Sequence, residues 1–157
     1  MDAANLELGD DVIVMIERRH EMATTTTKIG FVGLGHMGGN MAARFLAAGY
    51  TVYGESRDRR DADDLLHEGL QWRDTPREVA EAADVLITSL PNDDVLESVA
   101  SGRDGILAGI TEPKVWIDMS TVSPRASSEL AERVRRLGAA MLDARCREAS
   151  HRCRQER

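Results

Sequence analysis

The chain has 157 residues, 42% of them apolar and only 4% aromatic, with a formal net charge of −7. That length suits one domain whose core is filled by Val, Ile, Leu, Met and Ala, and the acidic balance argues against nucleic acid or an anionic membrane as the main partner. The charge is uneven: residues 1–27 carry −4, residues 28–144 carry −6 and residues 145–157 carry +3. Both cysteines, Cys146 and Cys153, lie in the last thirteen residues. No disulfide framework is expected, which suits a reducing compartment, the cytoplasm. No apolar run approaches the ~18 residues of a membrane span. The acidic start fits neither a signal peptide nor a transit peptide.

Residues 1–27 hold one short apolar run, Val12 to Ile16, and four consecutive threonines, Thr24 to Thr27. They read as a disordered extension, with Met22 the expected natural start. From Lys28 the pattern changes. Ile29, Phe31 and Val32 lead straight into Gly33-x-Gly35-x-x-Gly38, and Met37, Met41, Phe45 and Leu46 then recur at helical spacing. This is strand, glycine turn, helix. Gly33 permits the turn, Gly35 lets a pyrophosphate approach the backbone, and Gly38 lets the helix pack close. The helix N-terminus directs N–H groups and partial positive charge at the phosphates. Leu34, His36 and Met37 complete the candidate cofactor turn.

The helix is expected over Met37–Ala48, ending at Gly49. Strand 2 is Thr51 to Glu55, followed by Ser56-Arg57-Asp58-Arg59-Arg60. Glu55 is the candidate acid for a ribose 2′-OH, as in an NAD-preferring domain. By alternation from Val52 it need not point there. Ser56 and Arg57 form the strand tip, and a fork of donors suits a 2′-phosphate; NADP is therefore favoured over NAD. A helix over Asp61–Glu68 precedes a short strand, Leu70 to Trp72. Thr75-Pro76-Arg77-Glu78 reads as a capping box opening a helix with Val79, Ala82 and Ala83 inward.

Asp84 to Pro91 reads as an apolar strand covered on both faces and stopped by its proline. Ligands sit at the carboxyl ends of such strands, which makes Leu90 and Pro91 candidates. Asn92 or Asp93 can cap the next helix, with Val95, Leu96 and Val99 inward. Lys114 to Asp118 is strand 5. Ser123 caps a helix with Pro124 at its first position, running to about Leu137 and stopping at Gly138. Ser120 and Thr121 fall at the end of strand 5, where hydroxyls can bond to a cofactor amide or a substrate carboxylate. Ala139 to Asp143 is strand 6.

Ile29 to Gly38 with Met41-Ala42, Ile87-Thr88-Ser89-Leu90-Pro91, and Ile117 to Pro124 together resemble the N-terminal signature of the β-hydroxyacid dehydrogenases. That family includes 3-hydroxyisobutyrate dehydrogenase, tartronate semialdehyde reductase and the NADP-binding domain of 6-phosphogluconate dehydrogenase. The resemblance covers about Lys28 to Ala144. It implies an α/β fold, a Rossmann-type doubly wound parallel sheet of order 3-2-1-4-5-6. It implies that the glycine turn holds the pyrophosphate, that Leu90-Pro91 lines the adenosine and ribose side, and that Thr121 lies near the nicotinamide. Ser56-Arg57 goes with NADP use, and Ser120 falls to the substrate. The partners implied are NADP(H) and a small β-hydroxyacid, in a family that is usually oligomeric. Imine reductases share this N-terminal domain.

After Leu142-Asp143-Ala144 the family continues with a Pro-Val-Ser-Gly turn, a linker helix and a helical domain carrying a catalytic lysine. This chain continues with Arg145-Cys146-Arg147-Glu148-Ala149. With allowed codons, inserting one nucleotide after Ala144 turns that stretch into Pro-Val-Ser-Gly-Ser, so a frameshifted tail over residues 145–157 is expected. That origin accounts for the tail's five arginines without a nucleic-acid arm. Cys146, His151 and Cys153 have poor zinc spacing, and no metal site is expected. The expectation is an NADP-binding domain of a hydroxyacid oxidoreductase. The alternatives are an inactive NADP-binding fragment or a domain of an imine-reductase-like enzyme, so enzymatic activity of the chain itself is left open.

Overall fold

The computed structural model describes residues 27–144. The expectations for residues 1–26 and 145–157 lie outside the described residues. Six strands form one sheet: β1 (Lys28–Val32), β2 (Thr51–Glu55), β3 (Gln71–Trp72), β4 (Val85–Thr88), β5 (Val115–Asp118) and β6 (Ala140–Asp143). All neighbours pair in parallel, in the order β3-β2-β1-β4-β5-β6. Five α-helices connect them: α1 (His36–Ala47), α2 (Asp63–His67), α3 (Pro76–Ala82), α4 (Asp93–Ala100) and α5 (Pro124–Arg136).

Strand alternation sorts the core into two layers. Ile29, Phe31, Val52, Ile87 and Ile117 face Ala42 and Phe45 of α1 and Leu65 of α2. Val32, Tyr53, Leu86 and Trp116 face Val79 of α3, Leu96 of α4 and Leu130 and Val134 of α5. Both faces are covered, so the central strands are apolar throughout, as a doubly wound parallel sheet requires.

The helix boundaries follow the turn chemistry. α1 ends at Ala47, with Gly49 behind it at φ +86°. Thr75 Oγ1 accepts from Glu78 N at 3.2 Å, while Glu78 Oε2 accepts from Asp74 N, one residue before the cap. Asn92 is the residue that caps α4, accepting from Val95 N at 2.9 Å. Ser123 caps α5, accepting from Ala126 N at 3.2 Å. The segment after β2 differs from expectation. Asp58 accepts from Arg60 N and starts a 3-10 turn, Arg59–Ala62, so that α2 proper is only Asp63–His67. The inward face of α4 is as expected, with Ala100 added: Leu96 and Ala100 are buried, and Val95 and Val99, half-buried, pack against the same core. Among the described residues no helix is long and apolar enough to cross a membrane.

Candidate cofactor site

Register brings the sequence candidates to one rim. Glu55, Val32, Thr88, Asp118 and Asp143 form a single cross-strand row at the carboxyl ends of the strands. The residues that follow them are the start of the glycine turn, Ser56-Arg57, Ser89-Leu90-Pro91 and Met119-Ser120-Thr121. Sequence order reverses between β1 and β4, the point of the rim at which open parallel sheets bind their ligands.

The three glycines of the turn do different work. Gly33 has φ +93°, and a Cβ there would lie 2.6 Å from Ser89 O and 2.9 Å from Leu90 Cδ2. The turn therefore sits directly against the end of β4. Gly33 N also donates to Glu55 O at 3.0 Å, fixing the turn to β2. A Cβ at Gly38 would lie 2.0 Å from Gly33 O, so α1 crosses the turn at a separation only glycine allows. At Gly35 a Cβ would meet nothing within 4 Å. Gly35 is also the N-cap of α1 and gives no side-chain cap, and the first turn carries no acid. The helix N-terminus thus keeps its positive end for an anion. These features fit a dinucleotide pyrophosphate: an open approach at the middle glycine, backbone on either side and an uncapped helix end.

The other candidates take distinct positions. His36 and Met37 are exposed, Met37 at 46%. Leu34 is buried among Phe31, Phe45 and Leu65, so only its main chain reaches the rim. Ser56 is nearly buried, and its hydroxyl donates to Asp61 Oδ2 at 3.0 Å. Arg57 is exposed, and among the described residues no hydrogen bond or ion pair holds its guanidinium. Its neighbours are engaged: Arg60 pairs with Asp58 at 2.5 Å, holding that carboxyl at about 2, and Arg59 stacks on Trp72 at 5.3 Å from the ring centre. Glu55 is half-buried, and burial pushes its carboxyl up. Leu90 is nearly buried and Pro91 is exposed.

Ser120 and Thr121 part company. Thr121 is exposed on the rim. Ser120 is 1% exposed, and its Oγ accepts from Leu90 N at 3.0 Å. In this chain the Ser120 hydroxyl ties the loop after β5 to the loop after β4. Two residues went unnoticed in the sequence. Thr88 and Asp118, both fully buried, share a hydrogen bond of 2.7 Å at the ends of β4 and β5. The signal was present: a hydroxyl and a carboxylate at the last positions of two otherwise apolar strands. Among the described residues no group of three or more His, Cys, Asp or Glu side chains could hold a metal ion.

The fold and the rim together define a nicotinamide-dinucleotide-binding domain. Residues 28–146 match the family model of the NAD binding domain of 6-phosphogluconate dehydrogenase, and the chain belongs to that family. Within it, the chain is similar to the NAD(P)-binding domains of 3-hydroxyisobutyrate dehydrogenase-like oxidoreductases. It is 37% identical over 118 residues to the 3-hydroxyisobutyrate dehydrogenase of Pseudomonas aeruginosa, a match that covers 75% of this chain and 40% of that protein. Among solved structures, the 3-hydroxyisobutyrate dehydrogenase of Mycobacterium tuberculosis with L-serine superposes with a TM-score of 0.68 at 30% identity, covering 74% of this chain and 39% of that one. The protein Psf3, in complex with NADP+ and 2-OPP, superposes at 0.69 with 28% identity, covering 73% and 41%. The chain therefore spans about two fifths of the length of these proteins.

Proposed function

We propose that residues 28–144 hold NADP(H) for an oxidoreductase that moves a hydride between this cofactor and a β-hydroxyacid or its semialdehyde. Gly33 to Gly38 cradles the pyrophosphate through main-chain N–H groups, with His36 and Met37 beside it. Leu90 and Pro91 line the adenosine and ribose side, and Thr121 lies at the nicotinamide. When bound, the cofactor supplies the hydride. This chain's residues bind it, orient it and set which form is accepted.

One observation carries the reading. Gly33 and Gly38 are glycines because the protein's own atoms leave no room for a Cβ, whereas at Gly35 the protein leaves the space open. The side chain is missing there for the benefit of something outside the chain. Arg57 supports NADP over NAD: it is exposed directly after β2 with its guanidinium in no hydrogen bond, ion pair or ring stack among the described residues, and a guanidinium suits a 2′-phosphate. The NADP+ complex of Psf3 supports the same preference.

Fluorescence titration of the chain with NADPH and NADH tests the proposal. Saturable binding of NADPH, tighter than NADH by about tenfold, is expected from one added charge-assisted contact. Tighter NADH would overturn the role of Arg57, and no binding of either would overturn the site.

A further inference from the structure

The loop after β4 (Ser89–Asn92) and the loop after β5 (Met119–Ser123) are joined by hydrogen bonds that cofactor binding does not by itself require. The chain of contacts starts in the core. Trp116 Nε1 donates to Thr88 Oγ1 at 2.9 Å, and Thr88 Oγ1 donates to Asp118 Oδ1 at 2.7 Å. The same Asp118 oxygen accepts from Ser120 N at 3.1 Å. Ser120 Oγ accepts from Leu90 N at 3.0 Å, and Thr121 N donates to Leu90 O at 3.1 Å. Beyond Thr121, Asp93 accepts twice from Ser123: from N at 2.7 Å and from Oγ at 2.6 Å. Those two donors hold the Asp93 carboxyl below the usual carboxylate range.

Thr121 is the exposed residue in the middle of this lacing. Before it, Ser120 is buried with its N–H on one carboxylate. After it, Val122 is buried, and Ser123 has its N–H on the other. A buried carboxylate is an expensive way to join two strands that already pair through their backbones. Asp118 moreover leaves Oδ2 without a hydrogen-bond partner. What the carboxylate adds is direction: one oxygen receives both the β4 hydroxyl and the β5-loop amide, which sets the height of the loop over the rim.

We propose that Asp118 and Asp93 are positioning residues that clamp the main chain on either side of Thr121 and so present Thr121 to the nicotinamide half of the cofactor. This rests on the reading that puts Thr121 at the nicotinamide. Neither carboxylate touches the cofactor. Asp118 acts from beneath through Ser120, and Asp93 acts from the start of α4 through Ser123.

The test uses the full chain and two ligands: NADPH, followed by fluorescence, and adenosine 2′,5′-bisphosphate, followed by calorimetry. The second carries the adenosine half alone. Asp93, half-buried at the start of a helix, is the main variant, with a circular dichroism melt to show that each protein is folded. Asp93→Ala is expected to weaken NADPH about fivefold, the equivalent of one hydrogen bond. It should leave the bisphosphate within about twofold. Asp93→Asn, which keeps an acceptor for Ser123 N, restores NADPH affinity to within about twofold. Asp118→Ala, if folded, shows the same split between ligands, because Ser120 N then has no acceptor beneath it. Equal losses for both ligands, or no loss in Asp93→Ala, overturn the proposal. Thr121→Ala separates the two layers. If it weakens NADPH while Asp93→Ala does not, the clamp alone fails. If Thr121→Ala changes nothing, the nicotinamide reading fails and the clamp falls with it.

Discussion

Gly38 crosses Gly33 so closely that a Cβ on the first would stand 2.0 Å from the carbonyl oxygen of the second. That contact sets α1 against the end of β1 and leaves its N-terminus over the rim. The atom it meets is backbone, so no side chain can rotate away. Gly38→Ala therefore must move the helix or the turn, and a loss of about 3 kcal/mol is expected, the upper end for overpacking. Urea denaturation measures it. A loss under about 1 kcal/mol would mean that the turn relaxes far more than its packing implies.

Arg57 and Arg60 make a second, paired prediction. Arg60 is already neutralised by Asp58, whereas Arg57 has no such partner among the described residues. Arg57→Ala should weaken NADPH about tenfold and leave NADH unchanged, since NADH has no 2′-phosphate for the guanidinium to meet. Arg60→Ala should change neither by more than about twofold. Titration of both variants with both cofactors decides it. The reverse pattern would move the phosphate site to Arg60.

Thr88 joins two layers of the core chemistry. Its hydroxyl accepts from Trp116 Nε1 and donates to Asp118. Thr88→Val keeps the volume but leaves the indole N–H without its acceptor and takes from Asp118 Oδ1 one of its two donors, in a site with no access to water. The expected cost is about 3 kcal/mol, read by urea denaturation. Thr88→Ser, which keeps the hydroxyl, should recover the greater part of it.

Glu55 carries a pH dependence whose sign follows from burial. Its folded pKa lies above the ordinary value of 4.5. Its contribution is therefore most favourable below the unfolded pKa and is lost as pH rises through the folded one. Glu55→Gln removes the ionisation. The variant should melt higher than the parent at pH 7, and the difference should disappear below about pH 4.5. Thermal melts across that range check it. A variant that melts lower at pH 7 would show that the charged carboxylate has a favourable partner after all.

Much of this architecture was readable from punctuation. Gly49 and Gly138 mark the ends of α1 and α5, Pro76 and Pro124 mark the starts of α3 and α5, and continuous apolar runs mark the central strands. These signals are local, and the physics behind them is local too. What stayed hidden depends on tertiary placement. Asn92 and Asp93 are adjacent and chemically equal to the task of capping α4. The structure gives the cap to Asn92 and sends Asp93 to Ser123, thirty residues away. Likewise nothing in the pair Ser120-Thr121 indicates which hydroxyl turns inward, because a loop has no periodicity to betray its faces. The early 3-10 turn after β2 escaped for a related reason. An Asp58 side chain competing for Arg60 N is a local rival to the helix, and the apolar pattern does not register it.

The central claim is that Gly35 is a glycine for the sake of the cofactor. Gly35→Ser tests it most directly. Serine is a better N-cap than glycine, and its Cβ meets no protein atom within 4 Å. The fold should therefore melt at the same temperature or slightly higher. NADPH affinity, read by fluorescence titration, should fall by at least about a hundredfold, because a side chain now occupies the approach to the pyrophosphate. A folded Gly35→Ser chain that still bound NADPH as tightly as the parent would contradict the account and place the cofactor elsewhere.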